Sequence, residues 1–335
     1  MADFLTAALY KFVALPDHAA LQPPLLACCE AHAVKGTLLL AAEGINGTIA
    51  GPPAGVHAVL AWLRGDPRLT DLQHKEAAAR FMPFYRLRVR LKREIVTLGI
   101  PGLDPAEHAG TYVKPQDWNA LIGQPGVVLV DVRNDYEVAI GSFEGAIDPR
   151  TRSFSELPAW VARESQPGGV LAGDGNTRPR VAMFCTGGIR CEKSTAYLRS
   201  QGFDEVYHLE GGILKYLETV PEEQSRWRGD CFVFDERVSV GHGLAPGHHE
   251  LCRSCRWPLG AAERASPLFQ RGISCPYCHG TRSEEELRAL AERHKQVELA
   301  QRRSRMHIGA RMPGSASAGA GQQKLSVAQS AQPLR

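Results

Sequence analysis

The sequence predicts an α/β protein that is built from three successive parts. Short apolar stretches alternate with helical patterns through residues 1–222, as expected where helices pack against sheets. A segment rich in Gly and Pro, residues 99–105, interrupts this alternation and is typical of a linker. Two Cys-x-x-Cys pairs follow later, where the helix and strand patterns lapse. We therefore expect one α/β domain at 1–103, a second at 112–222, and a cysteine-rich segment at 229–282.

Length, composition and charge limit the class of protein. The chain has 335 residues, of which 44% are hydrophobic and 22% charged, so it is long enough for two or three domains and is neither fibrous nor wholly disordered. The sequence has no apolar run of about 18 residues and no basic secretory signal at its start, so we expect a cytoplasmic protein without a membrane segment. Residues 301–335 hold six of the 39 basic side chains and no acidic one. Because the rest of the chain is slightly acidic, its overall charge gives no argument for nucleic-acid binding.

The first domain combines helical patterns with several strand patterns. The Asn46-Gly47 pair predicts a tight hairpin turn over 43–47, with the returning strand at 48–50. The other patterns predict, in chain order, a strand at 9–15, a helix at 25–33, a strand at 37–42, a helix at 56–64, and strands near residue 72 and at 84–96.

Basic residues alternate with aliphatic ones near the end of the first domain. On a strand, this alternation places all the cations on one face and the aliphatic side chains on the other. Such a basic stripe suits phosphates, but it is equally compatible with the solvated outer face of a sheet. The four cations of the stripe are Arg86, Arg88, Arg90 and Lys92.

The second domain contains a strand, loop, helix and strand in succession. Unbroken apolar runs at 127–132 and 181–184 are typical of buried parallel strands. A polar loop with two glycines follows the second run and leads into a helix at 192–201, after which another strand is predicted at 206–209. Ligands of doubly wound folds bind at the carboxyl ends of such strands.

This loop, Cys185 to Cys191, has the features of a reactive-cysteine site. Gly187 and Gly188 allow backbone N–H groups to turn inward, and the following helix N-terminus and Arg190 add positive potential. We therefore expect Cys185 to be a thiolate and a nucleophile, rather than a small buried hydrophobic residue. Cys191 fits either a resolving thiol or a packed residue in the first helical turn.

The two Cys-x-x-Cys pairs match the spacing of a four-thiolate zinc site. The pairs are separated by 19 residues, and neither opens a helix after a strand as a redox motif does. A site closed by four sulfur ligands has no open position, so the predicted zinc is structural. The predicted ligands are Cys252, Cys255, Cys275 and Cys278.

The C-terminal end is predicted to be a single helix followed by a tail. Ser283 and Glu286 form a capping-box pattern that begins a helix at 283–305. The basic remainder, 306–335, is rich in Gly, Ala, Ser and Gln and is expected to be disordered.

Several motifs of the second domain resemble the rhodanese family. They are the segment 129–133 with Glu137, the Gly145-Ala146 pair, the cysteine loop, and the segment 209–213. The resemblance covers residues 112–220. The short spacing of four residues between Cys185 and Arg190 is similar to that of sulfur-handling members of the superfamily, whereas related phosphatases have one residue more.

Motifs outside the second domain narrow the resemblance to the rhodanese-related tRNA uridine hydroxylases. These motifs are 43–46, 191–193 and 232–237, and the likeness spans residues 8–280. The resemblance implies a ferredoxin-like (acylphosphatase-like) N-terminal domain, a rhodanese-like doubly wound parallel-sheet domain, and a C-terminal tail of the zinc-ribbon kind.

The resemblance also implies an activity, which is oxygen-dependent 5-hydroxylation of the wobble uridine of tRNA. Molecular oxygen would be the co-substrate, tRNA the partner, and Cys185 the catalytic cysteine that passes through a persulfide. Arg190 and Cys191 are predicted to assist Cys185, while Gly187, Gly188 and the basic stripe are predicted to bind the substrate.

Two other functions are compatible with these residues. One is a sulfurtransferase that passes persulfide sulfur from Cys185, and the other is a non-catalytic RNA-binding adaptor that uses the zinc ribbon. No G-x-G-x-x-G motif follows a strand, so neither a flavin nor a nicotinamide cofactor is expected. The sequence does not define an oligomeric state.

Overall fold

The computed structural model describes residues 3–173 and 177–303. Its N-terminal part is a five-stranded sheet with two helices on one face. The strand order is β4-β1-β3-β2-β5, and all neighbours are antiparallel except β2 and β5, which are parallel. The elements are β1 (Phe4–Phe12), α1 (His18–Ala31), β2 (Lys35–Ala41), β3 (Gly44–Gly51), α2 (Pro53–Arg64), β4 (His74–Ala79) and β5 (Leu87–Leu91).

The two faces of this sheet have different partners. Alternate residues of each strand, such as Leu9, Leu38 and Val89, join α1 and α2 in one apolar core. The residues between them face the other way, and on β1 these include Ala8 and Tyr10. Within the described residues of this domain, α1 and α2 both pack on the first face, and Tyr10 on the second face contacts the second domain.

The predicted Asn46-Gly47 turn is wrong. The hairpin turn is at Ala42 and Glu43, and Asn46 and Gly47 lie inside β3, where they pair with β1 and β2. A Cβ atom at Gly47 would collide with the carbonyl oxygen of Thr37, so glycine is needed there for close strand packing. The side chain of Asn46 donates a hydrogen bond to the carbonyl oxygen of Ile95 (2.9 Å) instead of forming a turn.

The second domain has a parallel sheet with helices on both faces. Its strand order is β6-β10-β9-β7, and apolar cores on the two faces contain Met183 and Phe184 of β9, respectively. The elements are α3 (Pro105–His108), β6 (Thr111–Val113), α4 (Pro115–Ile122), β7 (Val127–Asp131), α5 (Asp135–Val138), β8 (Gly141–Phe143), α6 (Leu157–Glu164), β9 (Arg180–Phe184), α7 (Ile189–Ser200), β10 (Val206–Leu209) and α8 (Gly212–Thr219).

A buried lysine of α7 joins the two domains. The Nζ of Lys193 donates to both carboxylate oxygens of Glu43 (2.8 Å each), to Glu94 (2.6 Å) and to the carbonyl oxygen of Val96 (3.0 Å). Only 1% of the Lys193 side chain is exposed. The motifs at 43–46 and 191–193 therefore meet at the domain interface.

The third part consists of short strand pairs and two helices. Strand β11 pairs with β8 of the second domain, and the pairs β12–β13 and β14–β15 follow. The capping box of the last helix forms as predicted, with reciprocal hydrogen bonds between Ser283 and Glu286. The predicted tail, 306–335, lies outside the described residues. The elements are β11 (Trp227–Gly229), β12 (Cys231–Phe232), β13 (Ser239–Val240), β14 (Glu250–Leu251), β15 (Pro258–Leu259), α9 (Ala261–Ala265) and α10 (Glu284–Arg302).

Within 3–173 and 177–303, no helix combines the length and the apolar character that crossing a membrane requires.

Candidate active site and metal centre

Cys185 lies at the carboxyl end of β9, in the loop that leads into α7. The residue is fully buried, and the backbone N–H of Gly188 donates a hydrogen bond to its Sγ (3.2 Å). Gly188 adopts a left-handed conformation (φ +106°), and a Cβ atom there would lie 2.6 Å from the hydroxyl of Tyr10. Glycine therefore allows both the turn toward the sulfur and the close approach of the N-terminal domain. Gly187 has open space around it.

The surroundings of Cys185 favour its thiolate. Burial alone would raise the pKa of Cys185, but hydrogen bonds from Cys191, the charge of Arg190 and the N–H of Gly188 lower this pKa to about 5. An ordinary cysteine has a pKa of about 8.5. Cys185 is therefore ionised at neutral pH, and its chemistry is that of a buried anion.

Arg190 does not face the sulfur as an unpaired cation. Its guanidinium forms a bidentate ion pair with the buried carboxylate of Glu137, with distances of 2.6 and 2.7 Å. The hydroxyl of Thr186 donates to the same carboxylate (3.3 Å). Arg190 thus fixes the loop against α5 and contributes its positive potential from that fixed position.

Cys191 is buried beside Cys185 and does not share its acidity. Burial raises the pKa of Cys191, and the negative charge of Cys185 raises it further. The Cys191 thiol therefore remains protonated and donates a hydrogen bond to the Cys185 thiolate. This contact is compatible with both roles that the sequence leaves open for Cys191.

The turn before α8 supports the loop from behind. The N–H of Ile213 donates to the carbonyl oxygen of Cys185 (2.9 Å), and that of Leu214 donates to Thr186 (3.1 Å). Gly212 has φ +66°, and a Cβ atom there would lie 2.5 Å from the carbonyl oxygen of Cys185. The segment 209–213 of the rhodanese resemblance is thus in contact with the cysteine loop.

The N-terminal domain adds a buried ammonium group near the cysteine. Lys75 lies on β4, and its Nζ is buried without a hydrogen-bond partner among the residues that the structure describes. Burial lowers the pKa of Lys75 to about 8, and the negative charge of Cys185 opposes this decrease. A Cβ atom at Gly211 would lie 3.2 Å from this Nζ, so the ammonium is adjacent to the turn that supports Cys185.

A carboxyl group and two phenols form a second polar cluster at the loop. Glu192, in the first turn of α7, accepts a hydrogen bond from the hydroxyl of Tyr10 (2.7 Å) and another from Tyr112. The pKa of Glu192 is raised to about 7. Burial is the largest cause, the hydrogen bonds from Tyr10 and Tyr112 oppose it, and the charge of Cys185 adds to the increase. This carboxyl group can therefore exchange a proton near neutral pH.

The basic stripe lies on the sheet face that the second domain contacts. Strand pairing aligns Arg90 with Leu39, Asn46 and Tyr10 in one row across β5, β2, β3 and β1. Arg88 lies in the adjacent row, whose far end is Lys75 on β4. Arg86 and Lys92 flank β5 rather than lying in it, and all four cations of the stripe are exposed.

The four predicted metal ligands meet in one cluster. All their sulfur atoms lie within 4.8 Å of one another, with Sγ–Sγ distances of 3.8 Å (Cys252 to Cys278), 3.6 Å (Cys255 to Cys275) and 3.7 Å (Cys275 to Cys278). Thiolates at the corners of a zinc tetrahedron lie about 3.8 Å apart, given a Zn–S bond of about 2.3 Å. This cluster can hold a metal ion.

Sequence reasoning missed several residues of the cysteine site. Glu137 and Glu192 belong to motifs of the resemblance, but nothing in their spacing showed that they would contact Arg190 and the tyrosines. Lys75 and Tyr10 gave no local signal, because they reach the loop only through the docking of another domain. The residues missed are Tyr10, Lys75, Tyr112, Glu137 and Glu192.

Comparison with protein families agrees with the architecture. Residues 4–95 match the UPF0176 acylphosphatase like domain, and residues 114–219 match the Rhodanese-like domain. Together with the mixed α/β structure and the four-cysteine cluster, these matches confirm the predicted fold class.

Similar proteins from three bacteria carry the name tRNA uridine(34) hydroxylase. The protein of Albidiferax ferrireducens is 66% identical over 92% of this chain and 96% of its own length. That of Acaryochloris marina is 57% identical, with 93% and 98% covered, and that of Agrobacterium fabrum is 57% identical, with 92% and 95% covered. At such identity over nearly the full length of both chains, the chain belongs to the tRNA uridine(34) hydroxylase family.

Proposed function

We propose that this chain catalyses oxygen-dependent 5-hydroxylation of the wobble uridine of tRNA, with Cys185 as the reacting group. The observation that carries the proposal is a buried thiolate at the carboxyl end of a parallel sheet, in a loop that contacts the N-terminal domain. The names of the relatives supply the substrate and the reaction. A cytoplasmic location is part of the same proposal, because the substrate would be tRNA.

Each residue of the loop has a role in this proposal. Cys185 is the nucleophile, and the N–H of Gly188 and the N-terminus of α7 stabilise its negative charge or that of a persulfide formed on it. Arg190 keeps the loop in place through Glu137. Cys191 donates a hydrogen bond to the thiolate and is the nearest candidate for a resolving thiol.

The RNA is proposed to lie along the sheet face that carries the basic stripe. Neighbouring strands are about 4.8 Å apart, so Arg90 and Tyr10 are separated by roughly 14 Å across the sheet. Within the described part of the chain, no carboxylate forms an ion pair with Arg86, Arg88, Arg90 or Lys92. The stripe is thus available for phosphate contacts on the same face as the residues that touch the cysteine loop.

The four-cysteine cluster is proposed to bind one structural zinc ion. Four thiolates close the coordination sphere, so no position is left for a substrate or a reactive water molecule. A zinc ion bound by these cysteines would stabilise the segment around β14 and β15, because this segment has only a small apolar core of its own.

The test is the origin of the hydroxyl oxygen in tRNA. A bacterial strain that lacks its own enzyme of this family would be complemented with this chain and grown under ¹⁸O-labelled oxygen gas. We expect 5-hydroxyuridine at the wobble position to reappear and to carry the heavy isotope, as measured by mass spectrometry of nucleosides. Absence of the modified nucleoside, together with sulfur transfer to cyanide by the purified protein, would instead identify the sulfurtransferase alternative.

A further inference from the structure

The surroundings of Glu192 suit a carboxyl group that transfers a proton. It lies one residue beyond Cys191, and its carboxylate accepts hydrogen bonds from two phenols that belong to different domains, Tyr10 and Tyr112. Among the residues that the structure describes, no lysine or arginine is paired with it, in contrast to Glu137, which forms an ion pair with Arg190. The carboxylate is thus held in position without losing its ability to accept a proton.

The exposed group of this cluster is Tyr112. Cys185 is completely buried and Glu192 is largely buried (9% exposed), whereas Tyr112, which donates to Glu192, is 50% exposed. A nucleobase that enters the site from the side of Tyr112 would meet Tyr112 and Glu192 before it reached the sulfur. The Glu192 carboxylate would therefore lie beside the nucleobase that Cys185 attacks.

We propose that Glu192 is a further catalytic residue, the group that removes the C5 proton of the target uracil. This inference rests on the proposed function, because only a reaction at C5 requires that proton to leave. Tyr10 and Tyr112 act as positioning residues that orient the carboxylate and stabilise its charged form.

The proton-transfer step itself involves no oxidation or reduction. Before it, Cys185 adds to C6 of the uracil, and molecular oxygen, the co-substrate of the proposed function, delivers one atom to C5 as a hydroxyl group. The second oxygen atom leaves as water, with two electrons and two protons from a thiol-class reductant of the cell. C5 is then tetrahedral and still carries its hydrogen. The C5–H bond breaks and its electron pair forms the C5=C6 double bond, while the C6–S pair returns to Cys185 as a thiolate. The Glu192 carboxylate takes the proton and releases it to solvent.

The charged and titratable groups that face Glu192 come from three elements. They are Tyr10 on β1, Tyr112 on β6 and Cys185 at the end of β9. The first two stabilise the carboxylate, and the third destabilises it. Glu192 would therefore be deprotonated, and active as a base, above about pH 7, where Cys185 is already a thiolate.

The first test compares Glu192→Gln with Glu205→Gln. Glutamine preserves the size of Glu192 and can still accept from both phenols, but it cannot take the proton. Glu205 is a matched control, because it also accepts from a phenol (Tyr207, 3.0 Å) but is exposed and precedes β10, at the opposite end of the sheet. Hydroxylation of an anticodon stem-loop RNA would be measured in an air-saturated extract of the deletion strain supplemented with each purified protein.

We expect Glu192→Gln to lower hydroxylation by about 100-fold or more, with unchanged melting temperature and unchanged alkylation of Cys185, while Glu205→Gln retains full activity. Full activity of Glu192→Gln would overturn the inference and leave the proposed function intact if Cys185→Ser is inactive. If the wild-type protein itself does not hydroxylate the RNA, the proposed function fails first.

Tyr10→Phe provides a second test that does not depend on how well Glu192→Gln folds. The variant loses one hydrogen bond that lowers the pKa of Glu192, so this pKa should rise. The increase of activity with pH should then shift to higher pH, with activity recovered in alkaline solution. An unchanged pH profile in a folded Tyr10→Phe protein would contradict a proton-accepting role for Glu192.

Discussion

Cys185 owes its ionisation mainly to its own loop and is also coupled to a lysine of the other domain. The N–H of Gly188 and the thiol of Cys191 donate to the sulfur, Arg190 adds positive charge, and the charge of Cys185 interacts with the Lys75 ammonium of the N-terminal domain. Each neighbour offsets part of the cost of burying a charge, which would otherwise favour the neutral thiol. The reactivity of this one side chain therefore depends on the assembly of both domains.

Replacing Lys75 tests whether Cys185 depends on the N-terminal domain. Lys75→Met removes a positive charge that favours the thiolate, so the pKa of Cys185 should rise from about 5 by up to about one unit. The measurement is the rate of Cys185 alkylation by iodoacetamide against pH, with the modified residue identified by mass spectrometry. Lys295→Met, which removes an exposed lysine of α10, should leave the midpoint unchanged. If the pH midpoint of Cys185 alkylation were the same in Lys75→Met as in the wild type, Lys75 would not stabilise the thiolate.

At the scale of elements, α7 connects the cysteine loop to the N-terminal sheet. Its first two turns carry Cys191, Glu192 and Lys193, which contact Cys185, Tyr10 and Glu43, respectively. A rotation of this helix would disturb all three contacts together. The buried Lys193 pairs are therefore expected to fix the domain arrangement as well as the helix.

Lys193→Met should destabilise the protein by about 3 kcal/mol, because it leaves the carboxylates of Glu43 and Glu94 without their buried partner. Urea unfolding gives this free energy. The matched control is Lys215→Met, which breaks an exposed ion pair with Glu218 and should cost no more than about 0.5 kcal/mol. A loss below about 1 kcal/mol for Lys193→Met would show that the interface does not depend on this lysine.

The basic stripe gives a prediction for strand β5 and its flanks. Replacing all four cations by Gln should weaken binding of anticodon stem-loop RNA and reduce the salt dependence of binding by up to about four phosphate contacts. Binding would be measured by fluorescence anisotropy over a range of salt concentrations. A variant with the four cations of 304–335 neutralised instead (Arg305, Arg311, Lys324 and Arg335) measures the separate contribution of that segment. An unchanged salt dependence in the stripe variant would make the stripe a plain solvated face.

Features that depend on residues close together in the sequence can be predicted from it. The cysteine loop, its helix and the capping box at Ser283 all follow from local spacing. Asn46-Gly47 misleads for a physical reason, since the contacts of β3 on both sides and the bond from Asn46 to Ile95 outweigh a local turn preference. Tyr10 and Lys75 reach the site across more than 100 residues of sequence, a distance over which periodicity carries no information.

For the whole molecule, the three parts have separable roles. The sheet of the first domain covers the cysteine loop of the second, whereas the cysteine cluster of the third lies in a small core of its own. Loss of the cluster should therefore affect the third part first. The first and third parts are joined by a defined contact, the hydrogen bond that the Tyr85 hydroxyl donates to Glu236 (3.3 Å), and the same carboxylate is paired with Arg253 (2.7 Å) within the third part.

We expect the full chain to contain one zinc ion. Cys255→Ser should lower the metal content and unfold the segment around the cluster, because metal binding supplies much of its folding free energy. Elemental analysis and the alkylation of Cys185 would be measured on the same sample, and the latter should be unchanged. Less than about 0.2 zinc per chain in wild-type protein purified without chelator would contradict the assignment.

The role of Cys185 as the nucleophile is tested by comparing Cys185→Ser with Cys191→Ser in the complemented deletion strain. Serine has nearly the shape of cysteine, but its hydroxyl has a far higher pKa, so Cys185→Ser removes the nucleophile without emptying the site. Nucleoside mass spectrometry of tRNA should then detect no 5-hydroxyuridine with Cys185→Ser and a measurable amount with Cys191→Ser. Equal loss in both variants would make Cys191 a resolving thiol, and full hydroxylation by Cys185→Ser would contradict the account.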